Sequence, residues 1–241
     1  MGGVTAVLTP RLAGFACLAV ALAVYYAVAD RLWNASTWWD VAWISLVLLP
    51  AVFGLVWFVV PLWRAPGTQL LLVGLASVAI AAALQASDEI SAASFAKLSA
   101  TTALAFWFLR YFETVWVVVL IAVIIPWVDT YSVFFGPTKH LIKHPGGVSA
   151  LSFAFRFPGE HQFATLGVPD LLFFAVFLAA AARFGLRVAA TWLAMVALLG
   201  LTVVLAVWLD LRGLPALPAL SIGFLGANAD LLWREARARR W

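Results

Sequence analysis

Residues 114–135 read TVWVVVLIAVIIPWVDTYSVFF, an apolar run with a single charged residue, Asp129. A bilayer core near 30 Å takes about 20 apolar residues of helix, so this run has the length of one membrane crossing. Working outward by the same ruler, further apolar runs lie at 12–29, 41–63, 68–86, 91–109, 163–184, 188–209 and 214–233. The sequence therefore predicts an all-α, polytopic membrane protein of eight transmembrane helices, with nine as the alternative count. The tightest division is the turn at Arg110, Tyr111, Phe112 and Glu113 between the fourth and fifth runs.

Composition agrees with that count. The chain is 65% hydrophobic and 11% charged over 241 residues, with mean hydropathy +1.03, whereas globular domains are about half apolar and about a quarter charged. No water-soluble core hides that much apolar surface. The net charge of +4 sits in loops and at the C-terminus, which reads as membrane orientation and not as a nucleic-acid footprint. Cys17 is the only cysteine, so no disulfide framework exists. Arg11 followed by an apolar run to Ala29 has the layout of a signal peptide, but its length favours a first span. The expected organisation is one transmembrane domain over residues 1–241, with N-terminal helices in 1–112 and the chemistry-bearing helices in 113–241.

With eight crossings both termini share a face, and that face holds nine of the 15 Lys and Arg. The cytoplasmic side carries the basic excess, so the C-terminus is expected there and the 136–162 segment outside. The chain is expected to be a multi-pass protein of a prokaryotic plasma membrane. The 136–162 segment contains Pro137, Pro145, Gly146, Gly147, Pro158 and Gly159, which predicts a surface loop and no packed element. Asn34-Ala35-Ser36 matches a glycosylation acceptor, a pattern too short to carry weight.

Acids in hydrocarbon are costly, about 2.5 to 3.5 kcal/mol each on insertion scales, and mark function by default. Asp129 and Asp170 qualify: each is expected about two turns inside its span, at similar depth near the same face. The competing reading of Gly167-Val168-Pro169-Asp170 is a helix start, with proline in the first turn and an acid favoured by the helix dipole. Asp40, Asp88, Glu89, Glu113, Glu160 and Asp210 fall at span ends or in loops. Gly213-Leu214-Pro215-Ala216-Leu217-Pro218 places two prolines at the entrance of the last span. Broken backbone at membrane depth survives only where protein or a watery cavity covers it, and the count puts this segment on the face of both acids.

These motifs, in this order, resemble the presenilin and signal peptide peptidase family of intramembrane aspartyl proteases. The family carries Tyr-Asp, then Gly-x-Gly-Asp, then Pro-Ala-Leu. Here they stand as Val128-Asp129, Gly167-Val168-Pro169-Asp170 and Leu214-Pro215-Ala216-Leu217, so Val128 and Pro169 depart from the pattern. The likeness covers residue 114 onward. It implies a presenilin-like bundle in which Asp129 and Asp170 are catalytic and Gly167, Val168, Pro169, Leu214, Pro215, Ala216 and Leu217 shape the substrate cleft. It also implies transmembrane helices or remnant signal peptides as substrates, no cofactor, and the lipid bilayer as the medium. Two rival readings use the same acids: an inactive relative that binds helices, and a proton- or cation-coupled transporter. His140, His144 and His161 lack any His-Glu-x-x-His pattern and read as loop residues, so no metal is expected.

Overall fold

The computed structural model describes residues 2–34, 36–134, 151–160, 163–211 and 214–238. The chain runs through α1 (Gly2–Val28), α2 (Thr37–Trp43), a π-helical turn (Ile44–Leu48), α3 (Leu49–Val59), α4 (Gly67–Ala86), α5 (Ile90–Leu109) and α6 (Val115–Phe134). Strands β1 (Ser152–Arg156) and β2 (Phe163–Gly167) follow, then α7 (Val168–Arg183), α8 (Val188–Trp208) and α9 (Leu217–Ala238). Among the described residues, six helical segments are long and apolar enough to cross a membrane: Pro10–Arg31, Thr37–Arg64, Gly67–Ala86, Ile90–Leu109, Val115–Val133 and Val188–Trp208. A multi-pass helical bundle results. The tight turn expected between the fourth and fifth runs is present, since α5 stops at Leu109 and α6 begins at Val115.

Contacts between loop side chains and helix ends sort the elements into two faces. On one, Arg156 of β1 pairs with Asp30 at the end of α1 (2.6 Å) and bonds Ser91 at the start of α5. On the other, Arg183 at the end of α7 donates to the Leu109 carbonyl at the end of α5, and Arg110 donates to the Ala65 carbonyl. Arg187, opening α8, makes a paired contact with Asp230 near the end of α9. Successive long helices thus alternate in direction.

The core is centred on α7. From Phe174 to Ala181 every side chain is buried, and Leu171 with them. Phe174 stacks on Phe53 of α3, and Phe177 stacks on Phe224 of α9. A helix apolar all round and covered all round is an interior element, and the Ala179–Ala181 run lets α5 approach closely. Small residues draw the remaining helices together in the same manner. A Cβ on Gly223 of α9 would meet the backbone nitrogen of Met195 of α8 at 2.8 Å, and one on Gly200 would meet Ser45 Cβ at 3.2 Å. Asn228, fully buried, donates to Thr191 Oγ1 and accepts from the Arg187 N–H, fixing α9 against α8.

Two expectations are corrected here. The 136–162 segment contains a packed element after all: β1 pairs antiparallel with β2, Ser152 opposite Gly167 and Arg156 opposite Phe163. Four of the five β1 residues are buried against the bundle. The turn joining the strands is anchored where the Gly159 N–H donates to the Ala29 carbonyl at 2.8 Å. Gly159 has φ +70°, and a Cβ there would lie 2.6 Å from the Asn34 nitrogen, so only glycine fits. The second correction follows from the first. The apolar run 163–184 is not one helix, because Phe163–Gly167 is spent on the strand and α7 begins at Val168, 16 residues long. Residues 135–150, with His140 and His144, lie outside the described residues, as do His161, Ala35 and Gly213.

Candidate functional site

Asp129 lies five residues before the end of α6, one turn beyond Pro126, and the helix continues through that proline. Its side chain is half-buried. Its Oδ2 accepts a hydrogen bond from the backbone N–H of Leu217 at 3.1 Å. The chemistry of that bond begins with the prolines. Residues 214–216 are not helical, and α9 starts at Leu217, so the first N–H groups of α9 have no partner within their own helix. A carboxylate from another element meets one of them, which the helix dipole also favours. Leu217 is thereby brought against Asp129, with Leu214, Pro215 and Ala216 directly before it in the chain and Ala216 and Leu217 buried.

Asp170 sits three residues past Gly167, in the first turn of α7, and not two turns inside a span as expected. The shift is the length of β2. Its Oδ2 accepts the Gly167 N–H at 3.1 Å, the arrangement in which an acid in the first turn reaches back to the residue that opens the helix. The helix-start reading therefore describes its backbone. It does not describe its surroundings, because Asp170 is only 9% exposed. Gly167 is held close to it: a Cβ at that position would lie 3.0 Å from Asp170 Oδ2. Pro169 stands on the solvent side of this turn, exposed, and Val168 donates its N–H to the Leu151 carbonyl, extending the strand ladder by one bond.

The two acids belong to one neighbourhood. The helices that carry them, α6 and α7, touch each other and both pack on α9. Sequence reasoning named both acids and the proline segment; the bond that ties Asp129 to Leu217 has no sequence signature, since it joins residues 88 positions apart.

Strand β2 was missed, and it alters the site. The outward edge of β1 is closed by side chains: Tyr26 donates to the Ala154 carbonyl, Tyr25 to the Arg156 carbonyl and Lys97 to the Ser152 carbonyl, while the Ala154 N–H donates to Ser94 Oγ. In an antiparallel ladder successive residues point alternately toward and away from the partner. With Ala154 turned outward, Thr165 opposite it is turned outward on the other flank. That is the flank on which the Gly167 N–H meets Asp170, and Thr165 is exposed.

Comparison with family models, with curated proteins and with solved structures finds no match for this chain. The geometry of the acids and the strand is thus the ground on which function is read.

A further acid was passed over as a span-end residue. Asp40, in the first turn of α2, is 5% exposed, and its Oδ1 has no hydrogen-bond partner among the described residues. Nothing in the sequence set it apart from the other span-end acids; in the structure a π-helical turn follows one turn on, at Ile44–Leu48, a feature frequent at functional sites. Among the described residues no group of three or more His, Cys, Asp or Glu side chains gathers as a metal site.

Proposed function

We propose that the chain is an intramembrane aspartyl protease of the presenilin and signal peptide peptidase type, with Asp129 and Asp170 as its catalytic pair. The observation that carries this reading is the convergence of two acids and one broken helix start. Asp129 is bonded to Leu217, and Asp170 accepts from the Gly167 N–H on the flank of β2 that bears exposed Thr165 and pairs with no further strand among the described residues. Eight crossings belong to the same proposal, the two beyond the six being α7, which is short at 16 residues, and α9, which is less apolar.

The chemistry follows from two neighbouring carboxyls sharing one proton. The ionised member takes a proton from water as the water oxygen attacks the scissile carbonyl. The protonated member donates its hydrogen bond, and then its proton, to the carbonyl oxygen. The resulting tetrahedral diol collapses with the proton passing to the leaving nitrogen, and the pair returns to its starting state. A transmembrane helix shields its peptide bonds, so the substrate must unwind. That flank of β2 supplies a place for it: a peptide added there as a third strand has its backbone hydrogen bonds satisfied and runs past Thr165 to the Asp170 carboxyl. Leu214, Pro215 and Ala216 line the opposite approach beside Asp129.

The test is cleavage of a single-span reporter in reconstituted vesicles. Asp129→Asn and Asp170→Asn are each expected to lower the rate by at least about 10²-fold, with helicity and thermal midpoint kept. Full activity in both variants removes the proposal. Proton-coupled flux lost in both variants, with no proteolysis in the parent, favours the transporter reading instead.

A further inference from the structure

Helix α1 packs on α3, and a cavity of about 910 Å³ separates it from α4 and α5. Small residues make the hollow. Ala19, Ala23 and Ala27 present a stripe at helical spacing on α1, and Ala92, Ser99 and Ala103 answer from α5. Along α5 the lining runs from Ile90 to Phe106, about 24 Å of helix, close to the depth of the hydrocarbon layer. One end is polar: Arg156, Asp88, Glu89 and Ser91 stand at the hairpin face.

We propose that this cavity holds a diacyl phospholipid whose headgroup carries both a phosphate and an ammonium, as phosphatidylethanolamine does. The lining argues for acyl chains, since below the polar end the cavity is lined mainly by Ala, Leu, Val and Phe side chains of α1, α3, α4 and α5. The walls argue for lateral entry, since α1 and α4 turn most of their surface outward, with 17% and 22% of their spanning windows buried.

Charge at the mouth selects the headgroup. Arg156 uses Nε on Ser91 and Nη1 on Asp30, which fixes the guanidinium and leaves Nη2 outside these two bonds, the donor geometry suited to a phosphate oxygen. Asp88 and Glu89 sit beside it in the α4–α5 turn, both exposed, with Asp88 at φ 58° presenting the turn outward. Among the charged residues that line the mouth, Asp88 and Glu89 outnumber Arg156. An anionic headgroup is repelled there, whereas one bearing an ammonium satisfies both signs.

The experiment is native mass spectrometry of the full chain taken from nanodiscs holding equal phosphatidylethanolamine and phosphatidylglycerol. Retained phosphatidylethanolamine should exceed phosphatidylglycerol several-fold. The exposed pair Asp88→Asn with Glu89→Lys should abolish or invert that preference. Ala23→Trp should remove retention of both lipids. Asp129→Asn should leave retention unchanged, so the lipid site and the protease reading fail independently. Equal retention of the two lipids by the parent chain overturns the proposal, as does unchanged preference in the charge variant. A photocrosslinker at Ala23 that captures a transmembrane reporter in place of lipid also overturns it.

Discussion

At Gly167 the distance between a missing methyl group and a carboxylate sets the tolerance of the site. A Cβ there would lie 3.0 Å from Asp170 Oδ2, so Gly167→Ala must push the acid aside by a few tenths of an ångström. Misplacement of about 1 Å costs about 10²-fold in rate, and a loss of about 10-fold is expected here with stability unchanged, measured as reporter cleavage beside a thermal melt. Asp40 runs the other way. Its buried Oδ1, unpartnered among the described residues, carries a desolvation cost. Asp40→Asn is expected to raise stability by about 1 kcal/mol, and a lowered thermal midpoint would overturn this.

At the scale of elements, the β1–β2 pair stands on side chains from α1 and α5. An isolated two-stranded hairpin is marginal in water, and this one is held because Tyr25, Tyr26, Ser94 and Lys97 close the outward edge of β1. Tyr26→Phe removes one buried donor and leaves the Ala154 carbonyl short of it, a cost of about 1 kcal/mol. Amide exchange in β1 and β2 should quicken while α8 and α9 keep their protection; uniform quickening across the chain would mean that the strands are not a separate unit. The pair also shows where sequence reasoning stops. The apolar lengths of α4, α5, α6 and α8 are legible because a bilayer fixes them. Ser152–Arg156 is five residues inside a Gly- and Pro-rich stretch, too short for any period to register, and its partners sit 55 to 131 positions away. Missing the strand displaced the start of α7 by its length, and with it the depth of Asp170. The Asp129 and Leu214–Leu217 pairing was legible in part, because prolines at a span entrance demand cover and an acid on the same face was available to give it.

For the molecule as a whole, α9 delivers the Leu217 N–H to Asp129 only while it lies flush on α8. Gly223→Leu places bulk where the Met195 backbone stands 2.8 Å from a Cβ, and it should separate the two helices. Overpacking of this kind costs about 1–3 kcal/mol. The expected readout is a lower melting point together with lost cleavage, whereas Ile222→Leu, on an exposed face of the same helix, should change neither. Helices α7 and α6 differ in what surrounds them, and that difference reaches the proposed chemistry. Sheathed by its neighbours from Phe174 to Ala181, α7 has no annulus of lipid to obey, whereas α6 has only 17% of its spanning window buried. A bilayer that is too thick or too thin obliges lipid-facing helices to tilt, so stretching or thinning the membrane should rotate Asp129 while Asp170 stays put. Turnover in vesicles of graded chain length should then pass through a single optimum, making the membrane itself the caliper that sets the gap between the two acids.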